Sequence, residues 1–223
     1  MWPDQAALDA ALDAASDPAW DAGLRVLQGN RLGATDEAHV AELVGLMQPP
    51  EGALIADLGC GFGEVARIAH RLWPDLEFVL VNRSARQMER APLRFRRVIA
   101  DAQALPLADA AVDGAMLLYS LCHMDPAAAL AEAARITRPG GFLFVFDFER
   151  LAGDNAAAER VLMSRFHPRA DLRATAEAVG WRTDRMFDPG GDDAVFRSLF
   201  PDAGAYEAIF RDLRPLAWRA VRI

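Results

Sequence analysis

Asp57, Gly59, Gly61 and Gly63 fall within seven consecutive residues, and Asn82, Asp101, Tyr119 and His123 each close or follow a short apolar run farther along the chain. An acid set before closely spaced glycines suits a ligand that needs polar partners and a close backbone, because glycine accepts positive φ and leaves room for approach. His123 has the proton affinity of a base near neutral pH. Tyr119 offers either a phenol or an aromatic face for a cation, and Glu149 is a third candidate for proton transfer.

These residues need rigid elements behind them. Ala53 to Ala56 form a continuous apolar run, as expected of a buried parallel strand. Asp57 and the glycines follow as a turn, and Val65, Ile68 and Leu72 continue at helical spacing. The helix start directs unpaired N–H groups toward whatever the loop holds. The six residues from Gly59 end in Glu64 rather than glycine or alanine, so the dinucleotide fingerprint G-x-G-x-x-G is not met.

Further strands are expected at 78–82, 97–101, 112–119 and 142–148, with helices between them, and this alternation predicts a doubly wound parallel sheet. Asp125-Pro126 starts a helix in the way an N-cap and a proline at the first helical position do. Thr35-Asp36-Glu37 opens an earlier helix whose Val40, Leu43, Val44 and Met47 share a face, and Pro49-Pro50 stops it. Helices are expected at 155–166 and 170–179 and strands at 181–187 and 216–223. The connection 188–210, rich in Gly, Asp and Phe, is long enough to suggest a function or a flexible cover, with Phe196, Phe200 and Phe210 in a lid or a dimer contact.

At 223 residues and a net charge of −8, the chain fits one α/β domain. Its acidity argues against a nucleic-acid backbone as partner. All 24 Lys and Arg residues are arginine, a bias that carries no chemistry of its own. Cys60 and Cys122 lack metal or redox spacing, and neither a membrane-length apolar run nor a signal-peptide pattern occurs. A cytoplasmic protein without a metal is expected.

Several ordered segments resemble the class I S-adenosylmethionine-dependent methyltransferases, of the cyclopropane-synthase-like small-molecule type. Ala56-Asp57-Leu58-Gly59-Cys60-Gly61-Phe62-Gly63 is similar to the family's first motif. Ala100-Asp101-Ala102, Leu105-Pro106-Leu107 and Val112-Asp113 resemble its third-strand and fourth-strand segments, and Arg135 to Gly141 its turn into the fifth strand. The resemblance implies a Rossmann-like, seven-stranded, mostly parallel sheet with helices on both faces, the last strand antiparallel, and an N-terminal helical lid. It also implies one domain over 1–223: a helical cap (1–50), a cofactor-binding core (51–150) and a C-terminal half (151–223) with the substrate-side loop 188–210.

The resemblance further implies S-adenosyl-L-methionine as cofactor, with Asp57, Gly59, Gly61 and Gly63 along its amino acid and ribose portion. Asp101 and the Ala102 N–H would meet the adenine, and Arg83 and Leu118 complete the cofactor side. Most members end the second strand in an acid where this chain has Asn82. The run Val81 to Gln87 instead resembles the C-methyltransferase branch, in which Asn82 and Gln87 would share the ribose. Helix capping is the alternative role for Asp57 and Asp101, a solvated helix face for Gln87, and packing for Tyr119.

Arg83, Arg86, Arg90, Arg94, Arg96 and Arg97 form a local basic cluster that would suit an anionic substrate, or a solvated face. His123 and Tyr119 are the catalytic candidates, with a structural or cofactor-side role as the alternative for His123. The expected activity is methyl transfer to a small-molecule acceptor by a monomer or homodimer, without nucleic acid or membrane. The alternative is a cofactor-binding protein that does not methylate, a cyclase or a regulatory partner, and Asn82 is the feature that speaks for it.

Overall fold

A computed structural model describes residues 6–8, 10–11, 13–14, 30–153, 155–198 and 202–223. Its strands are β1 (Leu54–Leu58), β2 (Glu77–Asn82), β3 (Arg96–Ile99), β4 (Val112–Leu118), β5 (Thr137–Arg150), β6 (Trp181–Phe187) and β7 (Leu213–Arg222). They form one sheet in the order β3-β2-β1-β4-β5-β7-β6. Pairs from β3 through β5 are parallel, and β7 runs antiparallel to both β5 and β6. This is the expected seven-stranded, mostly parallel fold with a reversed last strand.

The continuous apolar runs have a direct cause, since successive side chains of a strand point to opposite faces and here both faces are covered. Ala56 and Leu58 of β1, Val79 and Val81 of β2, and Leu143 and Val145 of β5 pack on one side with Leu130 of α4 (Pro126–Ile136) and Leu172 of α6 (Arg169–Ala178). Ile55, Phe78, Leu80, Phe144 and Phe146 pack on the other side. There they meet Val40, Leu43, Val44 and Met47 of α1 (Asp36–Met47) and Ile68 of α2 (Glu64–Leu72). Each buried Leu, Ile or Phe contributes roughly 1.5 to 3 kcal/mol. The α1 face is the one expected, although the helix ends on Gln48 at positive φ, before the prolines.

Several boundaries differ from the sequence expectation. β5 begins at Thr137 because Thr137 pairs with Val112 before the register jumps to Gly114 opposite Phe142, which folds the Pro139-Gly140-Gly141 turn into the strand. β7 begins at Leu213 rather than 216, since its pairing with β5 extends to Arg150. The helix expected over 155–166 is shorter, α5 (Ala156–Leu162). The connection 188–210 contains α7 (Ala194–Arg197) and α8 (Ala203–Phe210). The side chains of Phe196 and Phe200, expected in a lid or a dimer contact, lie outside the described residues.

Residues 1–5, 9, 12 and 15–29 of the expected N-terminal cap also lie outside the described residues. Residues 6–8, 10–11 and 13–14 are helical, Leu8 is buried, and the Asp13 carboxylate accepts from the Ser84 hydroxyl at 2.7 Å. Ser84 is the N-cap of α3 (Ala85–Arg90), which follows β2. The N-terminal segment thereby touches the carboxyl edge of the sheet.

Glu149 proves to be a clamp rather than a free base. It is buried, and its carboxylate accepts from Arg169 of α6 at 2.5 and 3.0 Å and from Arg214 of β7 at 3.0 Å. Removing the carboxylate strands two guanidinium groups beside the sheet. Glu149→Ala is expected to lower stability by about 3 kcal/mol, measured by urea unfolding, whereas a loss under 1 kcal/mol would show the clamp to be dispensable.

Candidate functional site

The carboxyl ends of β1, β2 and β4 converge at the glycine loop. Gly59 N–H and Cys60 N–H both donate to the Val81 carbonyl, at 2.9 and 3.0 Å, which ties the loop to the end of β2. Ser120, just after β4, donates its hydroxyl to the Leu58 carbonyl at 2.7 Å. Gly59 has φ +82, and a Cβ there would stand 2.5 Å from Ser120 Cβ, so only glycine lets the two loops approach this closely. Gly61 has φ +55, and a Cβ there would meet nothing within 4 Å. It faces open space in which a ligand can lie against the backbone.

Asp57 lies beneath this loop and is 2% exposed. Among the described residues nothing donates a hydrogen bond to its carboxyl, and burial raises its pKa from 3.8 to about 7. A buried carboxylate without a partner is costly, and a cationic ligand group in the loop would remove that cost. Helix capping does not account for Asp57, because the residue that caps α2 is Gly63.

Asn82 acts chiefly as a donor. Its amide donates to Gly61 O at 3.1 Å and to Gln87 Oε1 at 2.7 Å, while its Oδ1 accepts from the Arg83 N–H at 2.9 Å. The acid expected at this position could make neither of the first two bonds. Gln87 is 7% exposed, on α3, not on a solvated face. Asp101 accepts from Gln103 N at 2.9 Å and Nε2 at 3.0 Å and from Arg83 Nη1 at 3.0 Å. The neighbouring Ala102 N–H donates to no described residue.

The arginine cluster is dispersed rather than gathered on one anion. Arg83 pairs with Asp101, Arg94 with Glu77, Arg97 donates to the Met88 and Ala91 carbonyls, and Arg90 lies over the Phe62 ring.

Leu118 ends β4, and Tyr119 follows at φ +50, a left-handed conformation that costs a bulky residue about 1 to 3 kcal/mol. The strain turns the ring between Phe146 (5.4 Å) and Phe148 (5.2 Å). The Tyr119 hydroxyl accepts from Asn30 N at 2.9 Å, and burial holds its pKa well above the ordinary value. Tyr119 is therefore a neutral phenol and not a proton acceptor by ionisation. The position of Asn30 is fixed by donation from its amide to the Gly190 carbonyl and by the pairing of Arg31 with Asp192.

His123 closes the short 3-10 turn Leu121–His123. Its Nδ1 lies 3.2 Å from the Met163 carbonyl, an acceptor, which assigns the ring proton to Nδ1 and the lone pair to Nε2. Burial lowers its pKa, so the ring is neutral at neutral pH. Asp147, which the sequence reading did not single out, supports this turn. It is buried, accepts from Cys122 N at 3.0 Å and from Phe148 N at 2.8 Å, and burial raises its pKa to about 6. The only available signal was an acid inside an apolar strand.

The description of a methyltransferase domain matches residues 56–145. The 27-O-demethylrifamycin SV methyltransferase of Amycolatopsis mediterranei is 36% identical over 155 residues, 64% of this chain and 55% of the relative. The dimethylglycine N-methyltransferase of Parasynechococcus marenigrum is 31% identical over 181 residues, 71% of this chain and 62% of the relative. The chain spans about half the length of the curated relatives it matches. Among solved structures, geranyl diphosphate C-methyltransferase from Streptomyces coelicolor A3(2) superposes with a TM-score of 0.74 at 17% identity, over 84% of this chain and 79% of that one. At that identity the likeness is one of fold.

Two outcomes test the site. Asn82→Asp sets a carboxylate against Gly61 O and Gln87 Oε1, and is expected to weaken S-adenosylhomocysteine binding about tenfold, near 1.4 kcal/mol, in a calorimetric titration. Tighter binding would mean that Asn82 is a defect in the site rather than its clamp. The second outcome concerns Asp57, whose pKa in the folded chain is raised above its ordinary value. Between about pH 4 and 7 the folded chain keeps a proton that the unfolded chain has released, so this group's contribution to stability falls as pH rises through that window. Asp57→Asn is expected to remove this fall and to stabilise the ligand-free protein by roughly 2 to 4 kcal/mol at pH 8. Equal stability of the two proteins at pH 8 would place the carboxylate in a polar setting.

Proposed function

We propose that this chain, whose residues 56–145 match a methyltransferase domain, acts as a class I S-adenosylmethionine-dependent methyltransferase and transfers a methyl group to a small-molecule acceptor, with S-adenosyl-L-methionine as donor. The observation that carries this is the Asp57 carboxyl, to which no described residue donates, beneath a glycine loop whose Gly61 faces open space. When bound, the cofactor supplies an electrophilic methyl group on a sulfonium centre. The donor set fits it. Asp57 provides the counter-charge for an ammonium, Gly59 to Gly63 provide a close backbone, and Asn82 with Gln87 provides polar atoms at the ribose position. Asp101 and the unengaged Ala102 N–H serve the adenine, with Arg83 and Leu118 flanking.

For the acceptor, alignment supplies much of the rate, and the strained Tyr119 ring forms a fixed wall at the end of β4. His123, neutral and with its Nε2 lone pair unprotonated, takes the acceptor's proton. Asp147 positions His123 by holding the Cys122 backbone. Within one domain, α1 (Asp36–Met47) packs on the core at 51–150, and residues 151–223 supply the acceptor side. We place the protein in the cytoplasm, as a monomer or homodimer. Among the described residues no helix is long and apolar enough to cross a membrane.

The carbon-acceptor reading rests on the Val81 to Gln87 run. The relatives, by their names, methylate oxygen, nitrogen and carbon, so they do not choose the acceptor atom. The non-methylating alternative drew on Asn82, but the engagement of that side chain with Gly61 and Gln87 supports an intact loop.

Incubation with methyl-labelled S-adenosylmethionine and a fractionated metabolite extract, read by mass spectrometry, is expected to label a small molecule and to identify the atom methylated. Cofactor binding with no labelled fraction would favour the non-methylating reading. With the acceptor in hand, His123→Gln is expected to lower kcat/KM by about 100-fold or more with S-adenosylhomocysteine affinity unchanged. A loss under threefold would remove His123 from proton transfer.

A further inference from the structure

A cavity of about 400 Å³ opens between the end of β5, the start of β7 and α8. Phe148, Phe210, Tyr206, Asp193, Arg197 and Asn30 are among its lining residues. It adjoins the β4 end directly. Phe148 contacts the Tyr119 ring at 5.2 Å, and Asn30, also in the lining, donates its backbone N–H to the Tyr119 hydroxyl.

The rings are not scattered. Tyr119 meets Phe148, Phe148 meets Phe210 at 5.3 Å, and Phe210 stacks on Tyr206 at 4.5 Å with an interplanar angle of 21°. They form a continuous aromatic wall leading from the candidate methyl-transfer position to the far end of the cavity. Beside it, the Asp193 carboxylate accepts from the Tyr206 hydroxyl at 2.5 Å and pairs with Arg197 at 3.2 Å. An ionised carboxylate offers about four acceptor positions, which leaves capacity for a ligand donor.

We infer that this cavity binds a planar, hydroxylated aromatic molecule, its ring against the Phe148 and Phe210 faces and a hydroxyl donating to Asp193. This rests on the methyltransferase reading and specifies its acceptor. Competing chemistries fit less well. The Arg197 guanidinium already lies 4.4 Å over the Tyr206 ring, in the position a substrate ammonium would take by cation–π attraction. A diphosphate needs several cations, yet Arg197 is committed to Asp193, and Arg211 is the one other arginine among the described lining residues. Flat rings gain from offset stacking or edge contact with such a wall in a way that a flexible chain does not. The volume lies in the range of small-molecule sites and exceeds that of a two-ring ligand.

The test is calorimetric titration of the full chain, saturated with S-adenosylhomocysteine, with three probes: 2-naphthol, geranyl diphosphate and N,N-dimethylglycine. The expected result is that 2-naphthol binds at least tenfold more tightly than either other probe. Phe210→Leu and Asp193→Asn should each weaken 2-naphthol at least fivefold while leaving S-adenosylhomocysteine affinity within twofold. Tighter binding of the diphosphate or the amine, or 2-naphthol affinity unchanged in both variants, would overturn the assignment. Failure of S-adenosylhomocysteine to bind would count against the methyltransferase reading instead. The three probes, titrated into the protein alone, would then still decide the class of ligand.

Discussion

A carboxyl group enclosed at the end of a buried strand, with no described hydrogen-bond donor aimed at it, sets the terms for the rest of this molecule. Asp57 is held there by parallel pairing of β1 with β2 on one side and β4 on the other, and burial raises its pKa to about 7. Nothing about folding favours such a group, since desolvation without a partner opposes it. Its presence makes sense if the loop above it receives a cation. The glycine loop, the Val81 carbonyl that grips that loop and the Asn82 amide that braces Gly61 all hold that space in shape.

Strain and satisfaction are distributed accordingly. Left-handed backbone gathers at Gly59, Gly61, Gly63 and Tyr119 at the carboxyl edge of the sheet, and among the non-glycine residues it occurs elsewhere at Gln48, Ala110 and Met163. Away from that edge, arginines knit the elements together. Arg135 donates to Glu132 and to the Leu105 and Leu107 carbonyls, and Arg222 to the Ala134 and Gly180 carbonyls. A well-fastened scaffold beneath a costly edge is the arrangement expected where local stability is given up for a binding site.

The parts that could be read from the sequence have local causes. Continuous apolar runs follow from a sheet covered on both faces, and the glycine spacing follows from the turn it must make, so the strand, loop and helix around Asp57 were legible, whereas the reversed last strand was expected through the family resemblance alone. Side-chain roles set by distant partners were not. Asn82 reads as a weakened acceptor until Gly61 O and Gln87 Oε1 are seen to need a donor. Glu149 reads as a base until Arg169 and Arg214 close on it. Tyr119 owes its fixed, neutral hydroxyl to Asn30, 89 residues earlier. The aromatic wall depends on α8, which lies in a stretch whose glycines and aspartates read as open loop.

The central claim is that Asp57 gives up its proton to become the counter-charge of a bound ammonium. Titrating S-adenosylmethionine into the protein at pH 7, in two buffers of different ionisation enthalpy, measures the protons released on binding. With a carboxyl pKa of about 7, release of about half a proton per ligand is predicted, and none in Asp57→Asn. Tight binding by the native protein with no proton exchanged would contradict the account.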